Sequence, residues 1–291
     1  MTLSEMRRVL AERGIQLTKS LGQNFLHDAN QLQRIVAAAE LAPGDRVLEI
    51  GPGLGPLTER LVRQAGEVLA IEKDARLHEI LRQRLDRAAG LRLVLADALD
   101  YLRAHPGDWS GWKVVSNLPY AVASPILVEL ARCPHPPARM VVTLQWEVVQ
   151  RLIARPASPD YGLLTLLIQL RYQPRGWFKI PAGCFHPAPD VDSGCVTLDR
   201  RPTPLLPSAL EPAFERLVRA GFSQRRKMMF KLLKGVWPPD ALEKAFARTG
   251  LPLQTRAEAV SLEQFVQLTL ALTLNPPCPP SPFSASSSAS S

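Results

Sequence analysis

The stretch RVLEIGPGLGPLTERLVRQAGEVLAIEKD, residues 46–74, decides the fold of this chain. Two short runs rich in Val, Leu and Ile enclose a glycine-rich turn and a segment with the apolar spacing of a helix. A strand, a helix and a second strand in this order form a βαβ unit, whose two strands lie parallel in one sheet. The stretch therefore predicts an α/β protein with a glycine turn between its first strand and first helix.

The same alternation continues along the chain. Further strands are predicted at LRLVLAD, WKVVSNLP and RMVVTLQ, and helices at ILVELAR and EVVQRLIA, which together give a mostly parallel sheet. Between residues 163 and 198, LLIQLRY and CVTLDR are β-like runs broken by Pro and Gly. We expect these two runs to close the sheet as an antiparallel edge pair.

Composition changes at residues 200–208, where RRPTPLLPS carries three prolines and is typical of a linker. Residues 209–274 have helical periodicity only, and residues 275–291 are rich in Pro and Ser with little to bury. The expected organisation is a Rossmann-like domain over 1–199, a linker over 200–208, a small all-helical domain over 209–274 and a disordered tail over 275–291.

The net charge of +8 and the pI near 9.6 favour a polyanionic partner such as nucleic acid or an anionic membrane. No apolar run is long enough to span a bilayer, and the amino end has no signal-like apolar core, so we expect a cytoplasmic protein. The cysteine and histidine spacings match no metal motif, and we expect no metal and reduced thiols. The four cysteines are Cys133, Cys184, Cys195 and Cys278.

Four residues at predicted strand ends suit a nucleoside ligand. Gly51 and Gly53 allow a sharp turn and close approach to backbone amides, and no Gly-Lys-Ser/Thr follows that would indicate a triphosphate loop. Glu72 ends the second strand, 21 residues after Gly51, where an acid accepts hydrogen bonds from ribose hydroxyls. Asp97 ends the third strand, where it can accept from an adenine amino group. The spacing from Gly51 to Glu72 fits NAD as well as S-adenosylmethionine.

Asn117-Leu118-Pro119-Tyr120 follows the fourth strand at the same sheet edge. The tetrapeptide resembles the motif of amino-methyltransferases that act on nucleobases, and its chemistry suits that reaction. The Asn117 side-chain oxygen and the Pro119 carbonyl can each accept a hydrogen bond from adenine N6, which aims the nitrogen lone pair at a methyl donor. Tyr120 offers a flat face on which an extruded base can stack.

With these motifs, the chain resembles the rRNA adenine N6-dimethyltransferase family, most closely its small-subunit (KsgA/RsmA) type. The resemblance runs from about Leu17 to Ala271 and keeps the family's motif order. Its six motifs here are LGQNFLHD, EIGPGLGPLT, NLPY, LQWEVVQRL, CFHPAPDVDS and FSQRRKMM.

The resemblance implies a site residue by residue. S-adenosylmethionine contacts are expected at Gln23, Asn24, Leu26, Gly51, Gly53, Glu72, Asp97 and Asn117. The implied catalytic set is Asn117, Pro119, Tyr120 and Phe185, with Phe185 sandwiching the target adenine against Tyr120. The sequence departs from the family pattern at Ala121, Trp146 and Leu163, which puts the details of RNA docking in question.

The predicted helical region is basic. Twelve Lys and Arg against five Asp and Glu lie between Arg200 and Leu262, a surplus of +7. One short helix is expected to present five of these cations to RNA phosphates. They are Arg225, Arg226, Lys227, Lys231 and Lys234.

The resemblance implies dimethylation of N6 on two adjacent adenosines in the 3′-terminal hairpin of 16S rRNA, on the immature 30S subunit and by a monomer. Three alternatives remain open at this point. They are a 23S rRNA adenine methyltransferase of the macrolide-resistance type, a catalytically idle ribosome-assembly or transcription factor of the same fold, and an NAD-dependent dehydrogenase.

Overall fold

A computed structural model describes residues 1–15 and 24–273 of the chain. Gln23, Cys278 and the predicted tail over 275–291 lie outside the described residues. No helix within the described ranges is long and apolar enough to cross a bilayer. The packed residues divide into two compact units. Unit 1 comprises Met1–Ala154 and Leu164–Pro204, and unit 2 comprises Arg155–Leu163 and Leu205 onwards.

Unit 1 contains the sheet. Its strands are β1 Phe25–Leu26, β2 Arg46–Ile50, β3 Glu67–Glu72, β4 Leu91–Leu95, β5 Trp112–Asn117, β6 Arg139–Gln145, β7 Tyr172–Ile180, β8 Phe185–His186 and β9 Ser193–Arg200. Its helices are α1 Leu3–Glu12, α2 Ala29–Ala38, α3 Thr58–Leu61, α4 Ala75–Arg84, α5 Ala98–Ala104, α6 Ala123–Arg132, α7 Trp146–Ile153 and α8 Leu163–Gln169, of which Leu163 falls in unit 2.

Within the described residues, seven strands form the main sheet in the order β4-β3-β2-β5-β6-β9-β7. Strands β2 to β6 pair in parallel, and β9 pairs antiparallel with both β6 and β7. The parallel sheet with an antiparallel edge pair is therefore confirmed. Strand order reverses beside β2, and α/β sheets bind ligands at such a point, outside the carboxyl ends of the strands.

Alternating side chains of the parallel strands fill two apolar layers. Leu48, Ile50 and Val114 face one layer with α6, while Val47 and Val115 face the other with α2. Strands covered on both faces lack polar alternation, which is why their sequences are nearly continuous apolar runs. A third cluster joins α1 to the glycine turn through Met6, Leu10, Phe25 and Leu54.

The edge pair differs in detail from the expectation. LLIQLRY is not a strand, because its first residues belong to helix α8. There the Gln169 amide donates to the Leu152 and Ala154 carbonyls at the end of α7. The edge strand is β7, whose Pro174 adjoins a register shift at Gly176. An edge strand tolerates Pro because its outer backbone groups need no partner strand.

Unit 2 is helical in its described part. Its helices are α9 Glu211–Gly221, α10 Met229–Leu233, α11 Pro239–Arg248 and α12 Leu262–Thr273. Residues 155–163 belong to this unit although the sequence places them before the sheet is complete. They are held by Tyr161, whose hydroxyl donates to the Val260 carbonyl and whose ring packs on Phe222. The sequence-based boundaries placed this segment in the first domain, residues 1–199, and not in the helical one.

The predicted basic helix is shorter than expected. Residues 225–227 lie in a turn before α10, where the Lys227 amide bonds to the Gln224 carbonyl. Met228 is extended, with φ of −61° and ψ of 132°, so the helix begins only at Met229. Of the five predicted RNA-binding cations, Lys231 lies within α10 and Lys234 directly after it.

Candidate active site

A cleft lies at the carboxyl ends of the parallel strands in unit 1. Its empty volume, including the part open to solvent, is about 910 Å³. Strands β2, β3, β4 and β5 all end at this edge, so residues of the loops that follow them can reach the same cavity. Seven of the predicted site residues line it: Asn24, Gly51, Gly53, Glu72, Asp97, Asn117 and Pro119.

The glycine turn needs residues without a Cβ atom. Gly51 and Gly53 have φ of +70° and +60°, in the left-handed region. A Cβ on Gly53 would lie 2.6 Å from Phe25 Cε1, and one on Gly51 would lie 3.1 Å from Pro119 Cγ. The turn is therefore packed between the amino-terminal segment and the Asn-Leu-Pro-Tyr motif.

Glu72 joins this turn to the end of β3. One carboxylate oxygen accepts the Gly53 amide at 3.0 Å, and the other accepts the Asp74 amide at 2.8 Å. Burial raises the pKa of Glu72, while the Asp74 and Gly53 amides act to lower it. The carboxylate is thus fixed in place at the wall of the cleft.

Asp97 caps helix α5 and forms an ion pair. Its Oδ1 accepts the Leu99 amide at 2.9 Å and the Asp100 amide at 3.3 Å. Its Oδ2 lies 3.0 Å from the Nζ atom of Lys73, which also lines the cleft. The hydrogen bond from Lys73 holds the pKa of Asp97 below its usual value.

Asn117 lines the cleft and has an unpaired hydrogen-bond acceptor among the described residues. Its Nδ2 donates to the Asn24 carbonyl at 2.9 Å, which fixes the orientation of the amide. Its Oδ1 is buried and has no hydrogen-bond partner among the residues that the structure describes. A buried amide oxygen without a partner is costly in a folded protein, and a ligand that donates a hydrogen bond would satisfy it.

Pro119 and Tyr120 follow at the same edge. The Pro119 carbonyl accepts the Val122 amide at 3.1 Å and retains a second lone pair. The Tyr120 hydroxyl is hydrogen-bonded to Ser193 Oγ, and burial raises the pKa of Tyr120 to about 12. Tyr120 therefore remains a neutral, tethered aromatic ring beside the cleft, although it is not part of the cleft lining.

Besides Tyr120, two further predicted residues do not line the cleft. Leu26 and Phe185 pair across β1 and β8 and are only 2% and 3% exposed. Both pack in the apolar layer that contains Ile180 and Cys195. The described structure does not bring Phe185 next to a space for a base, because neighbouring apolar side chains cover its ring. Its role as a stacking partner of Tyr120 stays a prediction.

Three residues of the site were not identified from sequence. Phe25 lines the cleft in place of its neighbour Leu26, Lys73 pairs with Asp97, and Glu49 is a buried acid beside the glycine turn. Phe25 and Lys73 directly follow predicted site residues. Their position next to a predicted site residue was the feature of the sequence that could have identified these two.

The predicted RNA-binding cations of unit 2 differ in their contacts. Arg225 donates to the Pro159 carbonyl and lies 3.4 Å from the Glu258 carboxylate, so it holds the segment 155–163 in place. Arg226, Lys227 and Lys231 are exposed. Lys234 places its ammonium 4.8 Å from the centre of the Phe230 ring.

The departures from the family pattern also have structural positions. Ala121 lines the cleft beside Tyr120. Trp146 begins α7 and covers Gly194, where a Cβ would lie 2.5 Å from the indole ring. Leu163 begins α8. Of the three, Ala121 is therefore the one that borders the cleft.

Comparison with known proteins gives consistent matches. The family described as ribosomal RNA adenine dimethylase matches residues 14–274. The ribosomal RNA small subunit methyltransferase A of Moorella thermoacetica is 39% identical over 91% of this chain and 95% of its own length. That of Geobacter sulfurreducens is 39% identical over 89% of this chain and 96% of its own.

Solved structures match as well. The 23S rRNA methyltransferase ErmE is 30% identical, with a TM-score of 0.66 over 86% of this chain and 99% of its own. A dimethyladenosine transferase from Plasmodium falciparum is 24% identical, with a TM-score of 0.69 over 84% of this chain and 95% of its own. This second likeness concerns the fold alone.

Proposed function

Because the chain belongs to the ribosomal RNA adenine dimethylase family, we propose that it methylates N6 of two adjacent adenosines in the 3′-terminal hairpin of 16S rRNA. The protein is an enzyme, and its methyl donor is S-adenosylmethionine. The observation that carries the proposal is the buried Oδ1 of Asn117, an unsatisfied acceptor among the described residues at the edge of the cleft.

The residues of the cleft fit the cofactor. A Cβ on Gly53 would collide with Phe25, so glycine at this position lets the turn pack closely on the amino-terminal segment at the cleft wall. The Glu72 carboxylate is fixed by two amides and can accept ribose hydroxyls, and Asp97 can accept the adenine amino group. When bound, S-adenosylmethionine supplies an electrophilic methyl group on a sulfonium.

Asn117 and Pro119 orient the target nitrogen. The lone pair of adenine N6 is delocalised into the ring, so the nitrogen is a weak nucleophile until it becomes pyramidal. Hydrogen bonds from its two N–H groups to Asn117 Oδ1 and the Pro119 carbonyl favour that geometry and direct the lone pair toward the methyl group. Neither acceptor needs to be a strong base, because the cationic amine product is acidic and loses its proton to water.

Tyr120 holds the base. Its hydroxyl bond to Ser193 restrains the ring, and a base stacked on an aromatic ring gains about 1–3 kcal/mol. Phe185 completes this sandwich in the proposal, which requires its covered ring to become accessible when RNA binds.

The substrate assignment rests on the relatives named small subunit methyltransferase A, which match at 39% identity over nine-tenths of the chain. The likeness to the 23S enzyme is lower, at 30%. The alternative of an idle assembly factor of this fold is disfavoured by the retention of Glu72, Asp97 and Asn117 at one cleft. We further propose that the enzyme acts as a cytoplasmic monomer on immature 30S subunits, and that the basic residues of unit 2 bind rRNA phosphates.

The test is transfer of labelled methyl from S-adenosylmethionine to immature 30S subunits that lack dimethyladenosine, with the modified positions mapped by mass spectrometry. We expect label on the two adjacent adenosines and a loss on the order of 100-fold in kcat for Asn117→Ala, because one preorganised polar contact to the reacting group is removed. Asn30→Ala changes an exposed amide on α2 and serves as the matched control.

Two results would contradict the proposal. Label found in 23S rather than 16S rRNA would assign the enzyme to the other branch of the family. Absence of transfer by a wild-type protein that binds immature 30S subunits would favour the idle assembly factor.

A further inference from the structure

Both carboxylate oxygens of Asp97 are already engaged. Oδ1 accepts the Leu99 and Asp100 amides that begin α5, and Oδ2 pairs with the Lys73 ammonium at 3.0 Å. This helix cap joins the Asp97 side chain to the first backbone amides of α5 and does not involve Lys73. The two amide bonds occupy both lone pairs of Oδ1, so an adenine amino group at this end of the cleft has to bond to Oδ2, the oxygen that Lys73 also contacts.

We propose that Lys73 competes with the cofactor's adenine for Asp97 Oδ2 and is displaced when the cofactor binds. This inference rests on the proposed cofactor site. It concerns the affinity for the cofactor, which the Lys73–Asp97 contact lowers, and not the methyl transfer itself.

The contacts make displacement inexpensive. The Lys73 side chain is 63% exposed, so its ammonium can move into water without a large desolvation cost. Exposed ion pairs contribute little to stability, because solvent screens them and two flexible side chains must be ordered. Asp97 is less exposed, at 29%, and stays fixed by its two amide bonds when Lys73 leaves.

Displacement predicts an unusual salt dependence. Salt screens the Lys73–Asp97 attraction, so a higher ionic strength should free Oδ2 and strengthen cofactor binding. Binding of RNA phosphates shows the opposite trend, because it releases condensed counterions. The two ligands of the same enzyme should therefore respond to salt in opposite directions.

The experiment measures the Kd of S-adenosylhomocysteine by calorimetry between about 0.01 M and about 1 M salt, where the Debye length falls from about 30 Å to about 3 Å. We expect the affinity of the wild-type protein to rise about two- to fivefold over this range, the effect of one exposed ion pair. Lys73→Met should bind at low salt as tightly as the wild type does at high salt, and should lose the salt dependence.

A matched control is available in the same unit. Lys179 pairs with Asp192 at 2.7 Å and is 53% exposed, but neither residue lines the cleft. Lys179→Met should leave both the affinity and its salt dependence as in the wild type. Thermal unfolding of both variants checks that the fold is retained, which we expect since both lysines are exposed.

A second ligand separates competition from a general effect of charge. S-inosylhomocysteine carries a carbonyl oxygen where the adenosyl compound carries the amino group, so Lys73 can donate to it. Lys73→Met should therefore bind the inosyl compound more weakly than the wild type does, while binding the adenosyl compound more tightly.

Three outcomes overturn the inference. Equal affinity of Lys73→Met and wild type at every salt concentration would show that Lys73 does not hold the adenine acceptor. Weaker binding of both compounds to Lys73→Met would make Lys73 a supporting contact. Absence of binding of either compound to the wild type would contradict the proposed cofactor site as well, and is distinguishable on that ground.

Discussion

Glu49 is a buried acidic residue beside the glycine turn. The residue is 2% exposed, and its Oε2 has no hydrogen-bond partner among the described residues. Burial raises the pKa of this carboxyl to about 8, and the nearby Glu72 carboxylate adds to the rise. Thr58 acts to lower the pKa, but an ionised carboxylate with an unpaired oxygen is strongly disfavoured in an apolar interior, so Glu49 is held in its neutral form.

This neutral form makes stability depend on pH. Between about pH 4.5 and about pH 8 the folded protein keeps a proton on Glu49 that the unfolded chain releases. The free energy of unfolding therefore falls as the pH rises through this window. Each pKa unit corresponds to about 1.4 kcal/mol, so the total effect is on the order of a few kcal/mol.

Glu49→Gln should remove that dependence, because an amide of similar shape has no proton to lose. We expect the Tm of the variant, relative to wild type, to increase steadily from pH 5 to pH 8 when measured by differential scanning calorimetry. Glu67→Gln changes a less buried acid at the start of β3 and should show no such trend. A difference between Glu49→Gln and wild type that stays constant with pH would show that Glu49 is ionised throughout.

At the residue scale, the sequence predicted which residues lie at the cleft better than it predicted which side chains pack against them. Gly51, Glu72, Asp97 and Asn117 could be placed in one cleft because each lies at a strand end, and parallel strands end at one edge. The covered ring of Phe185 could not be predicted, because its burial depends on Leu26 and on neighbours distant in sequence. Long-range packing of this kind leaves no local pattern.

At the element scale, the strands with two buried faces were the most predictable. A continuous apolar run is ambiguous between a buried helix and a buried strand, which explains the misassignment of LLIQLRY. The helix places the Gln169 side chain at the carbonyls that end α7, a contact between segments that no local pattern shows. The edge strand β7 was missed because Pro174 and Gly176 interrupt its pattern, and both are tolerated at a sheet edge.

The glycine turn is the element whose geometry can be tested most directly. Gly53→Ala should weaken S-adenosylhomocysteine binding by at least about tenfold, because a Cβ at this position strikes Phe25 at the cleft wall and costs more than about 1.4 kcal/mol. Gly14 has a similar φ of +58° with nothing within 4 Å of its Cβ position in the described part of the chain. Gly14→Ala therefore carries the same backbone strain without the collision.

Thermal unfolding and calorimetric titration of the two alanine variants separate the effect of backbone strain from that of the collision with Phe25. Both should lose about 1–2 kcal/mol of stability from the left-handed conformation, whereas only Gly53→Ala should lose ligand affinity. Equal affinities in the two variants would mean that Phe25 moves aside without consequence and that the turn does not shape the cleft.

At the scale of the whole molecule, the charge is distributed differently from the expectation. The window from Arg200 to Leu262 carries a surplus of +7, but unit 2 as the contacts define it has eleven basic and seven acidic residues, a surplus of +4. Arg200 and Arg201 belong to unit 1, while Asp160 and Glu263 belong to unit 2. Half of the total charge of +8 therefore lies in the smaller unit, which still has the higher charge density.

Within unit 2, the cations are not equivalent. Arg225 binds Pro159 and Glu258, so its replacement would disturb the segment 155–163 as well as any RNA contact. Arg226 and Lys227 are exposed in the turn before α10. These two residues therefore offer the clearer test of phosphate binding.

Arg226→Gln combined with Lys227→Gln should weaken binding to rRNA uniformly across RNA sequences, because phosphate contacts carry no base information. The slope of log Kd against log salt concentration should fall by about 0.7–0.9 for each lost contact, as measured by filter binding to immature 30S subunits. Lys244→Gln removes an exposed charge from α11 of the same unit and is the matched control. If all three substitutions lower the slope equally, the surplus charge acts as a diffuse field, and the turn before α10 is not a specific phosphate site.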